Sequence, residues 1–438
     1  MSGRSCPALL TGAPASGSGK TAFSAGLARQ LLRQGRRVRV FKVGPDFLDP
    51  MILSRASGAP VYQLDLWMMG EAHCRELLYR AAGEADVILV EGVMGLHDGL
   101  PSSAELAALF DLPVLFVIDA AAMAQTFGAV ALGLALYRPA LATCGVVANN
   151  VAGEAHAGML RESLPVELTW CGWVARDLDF GLPERHLGLL QADEIDDLEQ
   201  RLDGLAAAVA GIEVDISLVT FRSDACADTP RLLEGVRIAV ARDGAFAFLY
   251  QANLDLLAAM GAELVEFSVL ADETLPSGTD SVFLPGGYPE LHLPALVRNT
   301  GIRAALQAHW KAGRPLYAEC GGMMALFEQI IDLDGNEFET FSLLPGRVRM
   351  QERLVALGLQ EIALPEGTLR GHTFHYSRAE TDLVPLATGR PQRAGRRGEP
   401  VYRVGRLTAS YLHLYFPSNP SAVARLFHPD AATLEMKA

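Results

Sequence analysis

The chain has 438 residues, half of them hydrophobic, and a formal charge of -14. That length and apolar content predict two domains with sizeable cores, and the acidic balance excludes a protein built to grip nucleic acid, which needs clustered Lys and Arg. The six cysteines are scattered and form no CxxC pair, a pattern that fits a reducing cytoplasm better than a disulfide framework.

The first element is an apolar strand ending near Leu10 and running into GAPASGSGKT, after which Phe23, Leu27, Leu31 and Leu32 mark one face of a helix. This strand, glycine-rich turn and helix form a phosphate-binding loop: backbone N–H groups and a helix N-terminus meet phosphate oxygens, and Lys20 adds a full charge. Gly12, Ser16, Gly17, Ser18, Gly19, Lys20 and Thr21 are the expected ATP cradle, with Thr21 as the natural Mg²⁺ ligand. Pro14 stands where the usual loop has its first glycine. A strand so close to the start leaves no room for a signal peptide, so a cytoplasmic location is expected.

The next strand, RRVRVFKVG, leads to Asp46 and Asp49, and ADVILVEG ends in Glu91 before the glycine-rich GVMGLHDG. Either aspartate alone is commonly Asp-Pro turn chemistry. Yet carboxylates at the ends of parallel strands beside a phosphate loop sit where a doubly wound sheet places its chemistry, and Glu91 resembles the second acidic motif of P-loop enzymes. Thr21, Asp46 and Glu91 are therefore the expected Mg²⁺ ligands. LPVLFVIDA and ATCGVVANNV continue the βα alternation of a mainly parallel sheet. The uncharged run from Ala120 to Tyr137 is expected as a buried helix, with no membrane span. Asn149 and Asn150 end a strand, where an amide reads a base edge or caps a helix with equal merit.

VGPDFLDP, VEGVMGLHDG and LPERHLGL, together with the altered loop, resemble the cobyrinic or hydrogenobyrinic acid a,c-diamide synthases of cobalamin biosynthesis. The resemblance implies an N-terminal dethiobiotin-synthetase-like ATPase domain, a group whose loop need not keep the first glycine. It also implies substrate or metal organisation by Asp49 and Asp98, while Lys42 joins Lys20 as an expected ATP-binding residue, both stabilising the charge of the transferring phosphoryl group.

The pattern weakens between Ala206 and Glu234, giving an expected division into a synthetase domain at 1–205, a linker at 206–234 and a second α/β domain at 235–438. There, SVFLPGGYPE and PLYAECGGMMAL frame a nucleophile elbow: small residues at Ala318, Gly321 and Gly322 permit a strained turn exposing the Cys320 thiol. Gly321 and Gly287 are the candidate oxyanion donors. A free thiol needs a basic partner to work at neutral pH, and ASYLHLYF offers His413.

PGGYPE, YAECGGMM, RGHTFHYSR and ASYLHLYF resemble the class I glutamine amidotransferase half of the same synthases, which implies Cys320 as nucleophile and His413 as its base. Many such enzymes carry a glutamate two residues after the histidine. Here Tyr415 takes that place, as in the cobyrinate branch, and no orienting partner for His413 is assigned. The arginines and histidines from Arg347 to Arg397 are a candidate positive patch for a polycarboxylate. The resemblance therefore implies an ATP-dependent ligase, with Mg²⁺, L-glutamine and a corrinoid polycarboxylate, without nucleic acid or membrane, and compatible with a homodimer. Cobyric acid synthase and nickel sirohydrochlorin a,c-diamide synthase are the neighbouring alternatives, and a P-loop switch ATPase with an inactive amidotransferase module is the alternative of another class. The residues leave open whether the macrocycle contains cobalt, with a tilt to the metal-free hydrogenobyrinic acid.

Overall fold

The computed structural model describes residues 3–138, 140–176, 180–185, 188–223 and 229–430. Cys226 and, in the PERHLGL stretch, His186 and Leu187 lie outside them. The chain divides into two compact units, Met1–Cys226 and Ala227–Ala438.

In the first unit, β1 (Gly3–Gly12), β2 (Val38–Val43), β3 (Tyr62–Leu64), β4 (Val87–Glu91), β5 (Val114–Asp119), β6 (Thr143–Val151) and β7 (Trp170–Ala175) lie in the order β3-β2-β4-β1-β5-β6-β7. Every pairing along that path is parallel. Ala8, Leu9 and Leu10 of β1 and Ile88, Leu89 and Val90 of β4 are buried, as strands covered on both faces require. Because all seven strands run the same way, their C-terminal ends share one edge. The chain crosses from one side of β1 to the other, which opens the crevice of a doubly wound sheet there.

Helix α1 (Lys20–Arg33) buries Phe23, Ala25, Leu27 and Ala28. It packs closely on the helix Leu198–Ala208, since a Cβ on Gly26 would lie 2.8 Å from the Leu205 carbonyl. Within the stretch expected as a linker, Leu218–Arg222 forms a strand antiparallel to the first half of β1. Its alternating exposed and buried residues are those of an edge strand, whose pairing the sparse sequence pattern did not signal. The run from Ala120 to Tyr137 forms the helix Thr126–Leu136, which buries Phe127, Gly128 and Ala131 but leaves Leu136 and Tyr137 exposed. The expected buried helix is therefore buried along one face only. No described helix is long and apolar enough to cross a membrane.

The second unit is also α/β. Its main sheet runs Glu263–Phe267, Arg237–Ala241, Ser281–Leu284, Leu316–Glu319 and Leu407–Ser410, all parallel. Pro400–Val404 and Ala387–Thr388 extend it antiparallel. A second, antiparallel sheet pairs the long hairpin Ala356–Leu364 and Gly367–His375, and seats His413–Tyr415 against the latter so that His372 faces His413.

Candidate active sites

In the first unit the phosphate loop leaves β1 at Gly12 and enters α1 through Gly19, whose φ of 87° is a left-handed conformation that glycine adopts without strain. There is also no space for a side chain, because a Cβ would sit 2.1 Å from Asn149 Nδ2. Asn149, at the end of β6, donates to the Ser18 carbonyl at 3.1 Å, so its amide fastens the loop. Of the two readings of the Asn149-Asn150 pair, neither a base contact nor a helix cap describes this bond. Ser18 Oγ closes the turn onto Ala15 O at 2.9 Å, while Ser16 and Gly17 are exposed at its crest. The departure at Pro14 is accommodated because the segment after β4 lies against the loop: Leu96 N donates to Ala13 O at 2.7 Å, and a Cβ on Gly95 would be 2.7 Å from Pro14 O.

Lys20 is buried and donates to Ala15 O at 3.2 Å and Met94 O at 2.7 Å. Its pKa is lowered by burial and by Lys42, against the pull of Glu91, Asp49 and Asp98. Behind it lies a charged cluster. Lys42 Nζ is 2.6 Å from both Asp49 Oδ2 and Glu91 Oε1, and Thr21 Oγ1 donates to Glu91 Oε1 at 2.9 Å. Burial opposes the Lys42 charge, but Asp49, Glu91 and Asp46 together hold the ammonium above its ordinary range. The lysine expected to face a transferring phosphate thus also contacts two carboxylates. Asp46 accepts from Leu48 N at 2.9 Å, and burial followed by Asp49 pushes its pKa up to about 7. Burial works to raise the Asp49 pKa too, but its contact with Lys42 prevails and lowers it. Asp98 Oδ2 accepts from Gly95 N at 2.9 Å, bracing the segment that touches the loop.

The donor set fits Mg²⁺. Glu91 Oε2 is buried and without a hydrogen-bond partner among the described residues, a costly state for a carboxylate oxygen unless a cation or donor completes it. Hard oxygen ligands, few in number and beside a phosphate loop, suit an ion that takes its remaining ligands from phosphates and water.

In the second unit the strand Leu316–Glu319 turns sharply at Cys320, with φ 43° and ψ -108°, into the helix Gly321–Leu326. A non-glycine residue at positive φ is strained and is commonly held so at a functional site. Cys320 N is tied to Ser410 O at 2.7 Å, which anchors the turn. Gly321 must lack a side chain because a Cβ would lie 2.7 Å from Gly287 O and 3.0 Å from Gly287 N. The two expected oxyanion donors therefore belong to backbones in close approach. A Cβ on Gly286 would lie 2.1 Å from His413 Cε1, so the same Gly286-Gly287 turn borders the imidazole on one side and the elbow on the other.

His413 is buried, its ring stacked on His372 at 4.9 Å and lying 6.4 Å from the Phe248 ring. His372 Nδ1 is 2.7 Å from Tyr250 OH. Burial first, then His372 and His375, lower the His413 pKa, which favours the neutral imidazole. The Cys320 thiol is pushed up by burial and by Glu290, with Gly321 N–H opposing, so it rests protonated. The nearby carboxylates of the supposed positive patch are already matched: Arg347 and Arg349 reach Glu380, while Arg370 and Arg390 reach Glu361. His372 and His375 are buried and contribute no surface charge.

Sequence reasoning passed over Glu319, although it stands beside the nucleophile. Its signal was a carboxylate closing an apolar strand, Leu-Tyr-Ala-Glu, that had to be buried.

The model of the CobQ/CobB/MinD/ParA nucleotide binding domain matches residues 10–184, and that of the CobB/CobQ-like glutamine amidotransferase domain matches residues 237–421. A hydrogenobyrinate a,c-diamide synthase of Pseudomonas aeruginosa is 59% identical over 97% of this chain and 98% of its own. Another of that name, from Stutzerimonas stutzeri, is 58% identical over 98% of this chain and 100% of its own. A cobyrinate a,c-diamide synthase of Herminiimonas arsenicoxydans is 50% identical over 96% of this chain and 97% of its own. With its phosphate loop and acidic cluster in one unit and its thiol elbow in the other, the chain belongs to the family of hydrogenobyrinate and cobyrinate a,c-diamide synthases.

Proposed function

We propose that this protein uses ATP and the amide nitrogen of glutamine to amidate the a and c acetate carboxylates of a corrinoid, with metal-free hydrogenobyrinic acid as substrate. The observation that carries the ligase reading is the Lys20, Thr21, Glu91, Lys42, Asp49 cluster beside the phosphate loop, in a chain that also holds the Cys320 elbow. The names of the two relatives near 60% identity favour the metal-free macrocycle.

A carboxylate is a poor acceptor for ammonia because oxide is a poor leaving group. The corrinoid carboxylate oxygen attacks the γ-phosphorus of ATP, the bond to the β-phosphate oxygen breaks, and ADP leaves. Loop N–H groups and Lys20 hold the phosphates and offset the spreading negative charge. An ammonium has three donors, and the two bonds to Ala15 O and Met94 O aim Lys20 while leaving one for phosphate. Lys42 fixes Asp49 and Glu91 in place and favours their ionised forms, prevailing over burial at Asp49, while burial still raises the Glu91 pKa. Thr21, Asp46 and Glu91 would hold Mg²⁺, which when bound would supply positive charge to offset that of the phosphates. Ammonia then attacks the acyl carbon and phosphate departs.

In the second unit the Cys320 thiol gives its proton to His413 as sulfur attacks the glutamine carbonyl. Gly321 and Gly287 N–H groups receive the oxyanion, His413 returns the proton to the departing ammonia, and water hydrolyses the thioester to glutamate. Cytoplasmic placement and a homodimer belong to the same reading. Incubation with each macrocycle, ATP and glutamine, followed by mass spectrometry, tests the substrate: the metal-free diamide should form faster, and preferential amidation of cobyrinic acid would overturn that choice. Carboxylate-¹⁸O substrate should deliver one labelled oxygen to phosphate per amide, and unlabelled phosphate would rule out the acyl phosphate.

A further inference from the structure

We propose that Glu319, the residue immediately before the nucleophile, is the positioning carboxylate for His413, taking the place of the glutamate that Tyr415 displaces; this rests on Cys320 and His413 being nucleophile and base. Glu319 Oε2 lies 3.8 Å from His413 Nδ1, and both side chains are buried. The other oxygen is fixed: Glu319 Oε1 accepts from Leu414 N and from Tyr317 OH, each at 2.9 Å. Those two bonds orient the carboxyl group so that Oε2 faces the imidazole. Leu414 is also the residue after His413, so the carboxylate grips the very strand that carries the base.

The separation exceeds a hydrogen bond but is within ion-pair range, and such contacts commonly tighten when substrate binds. Nδ1 directed at an acid leaves Nε2 for the thiol, and a carboxylate beside the ring stabilises the imidazolium that forms when Cys320 gives up its proton. Two further acids act on Cys320: Glu399, whose Oε1 is 3.1 Å from His375 Nε2, and Glu290, which raises the thiol pKa. The groups facing His413 are then Glu319, the stacked His372 with its Tyr250 partner, and His375. Those facing Glu319 are His413, Tyr317 and Cys320. Burial raises the Glu319 pKa to about 8 against the two donors. The ionised form needed to hold an imidazolium therefore grows in as pH rises through 8.

The test measures glutamate release by the full chain as a function of pH for wild type, His413→Ala, Glu319→Gln and Glu319→Asp. A glutamine amide at 319 can donate to Nδ1, turning the ring to the tautomer whose Nε2 cannot accept the thiol proton. Glu319→Gln is expected to lower kcat roughly 10²-fold with KM for glutamine changed less than about threefold, and to lose the limb near pH 8. Glu319→Asp, which keeps the charge, should recover part of kcat. Thermal melts and ammonia-dependent synthesis by the same preparations report whether each variant is folded. Glu319→Gln within about threefold of wild type, or Gln and Asp equally impaired with the limb intact, would overturn the proposal while leaving Cys320 and His413 in place. Activity retained by His413→Ala would instead overturn the reading on which it rests.

Discussion

Replacing Gly286 with alanine should separate the two activities by sterics alone. The residue has no positive φ, so alanine meets no backbone strain. The added methyl would be 2.1 Å from His413 Cε1 and 2.9 Å from Nδ1, where ordinary contact begins near 3.4 Å. The overlap is over 1 Å and the ring cannot easily yield. It is stacked on His372 and packed near Phe248, and its backbone is fixed because Gly371 approaches the His413 carbonyl so closely that a Cβ there would also clash. A misplacement of about 1 Å in a catalytic group costs roughly 10²-fold in rate, while overpacking one methyl costs about 1–3 kcal/mol of stability. Glutamine-dependent synthesis should therefore fall roughly 10²-fold, with ammonia-dependent synthesis retained and only a modest drop in melting temperature. The assay is diamide formation with either nitrogen source, scored by mass spectrometry. Glutamine use within about threefold of wild type would refute the claim that this turn places the base.

Lys42→Met should leave the buried Glu91 and the half-buried Asp46 and Asp49 without their cation, costing about 3–5 kcal/mol and roughly 10 °C in melting temperature, with synthesis lost from both nitrogen sources; calorimetry and the paired assay check both. Asn149→Ala removes the bond to Ser18 O, and a loss of about 1 kcal/mol should raise KM for ATP roughly fivefold with glutaminase activity unchanged. Lys20→Ala should abolish synthesis from glutamine and from ammonia, and unchanged turnover would remove the loop from the mechanism.

Strands and helices of both units were legible because their patterns are local. Unbroken apolar runs marked doubly covered parallel strands, and turns rich in Gly, Pro and Asp marked their ends. Topology then placed Lys20, Asp46 and Glu91 at one edge without further information, since parallel strands share a direction. What sequence could not supply were choices made by tertiary contact. Whether Lys42 faces phosphate or carboxylates depends on the ångström-scale approach of Asp49 and Glu91. Asn149 fastening the loop depends on the register of β6 against β5. The edge strand Leu218–Arg222 was obscured because a half-exposed strand with five residues carries little pattern. Glu319 was hidden by its own position, since His413 is 94 residues away and the two side chains come together through the parallel pairing that sets Glu319 opposite Ser410.

The division of labour between the units is tested most directly by the source of nitrogen in Cys320→Ala. With [amide-¹⁵N]glutamine, ATP and hydrogenobyrinic acid, wild type should place two ¹⁵N atoms in each macrocycle and Cys320→Ala none, whereas [¹⁵N]ammonia should restore both in the variant. Continued transfer from glutamine by Cys320→Ala, or failure of ammonia to rescue a folded variant, would contradict the account.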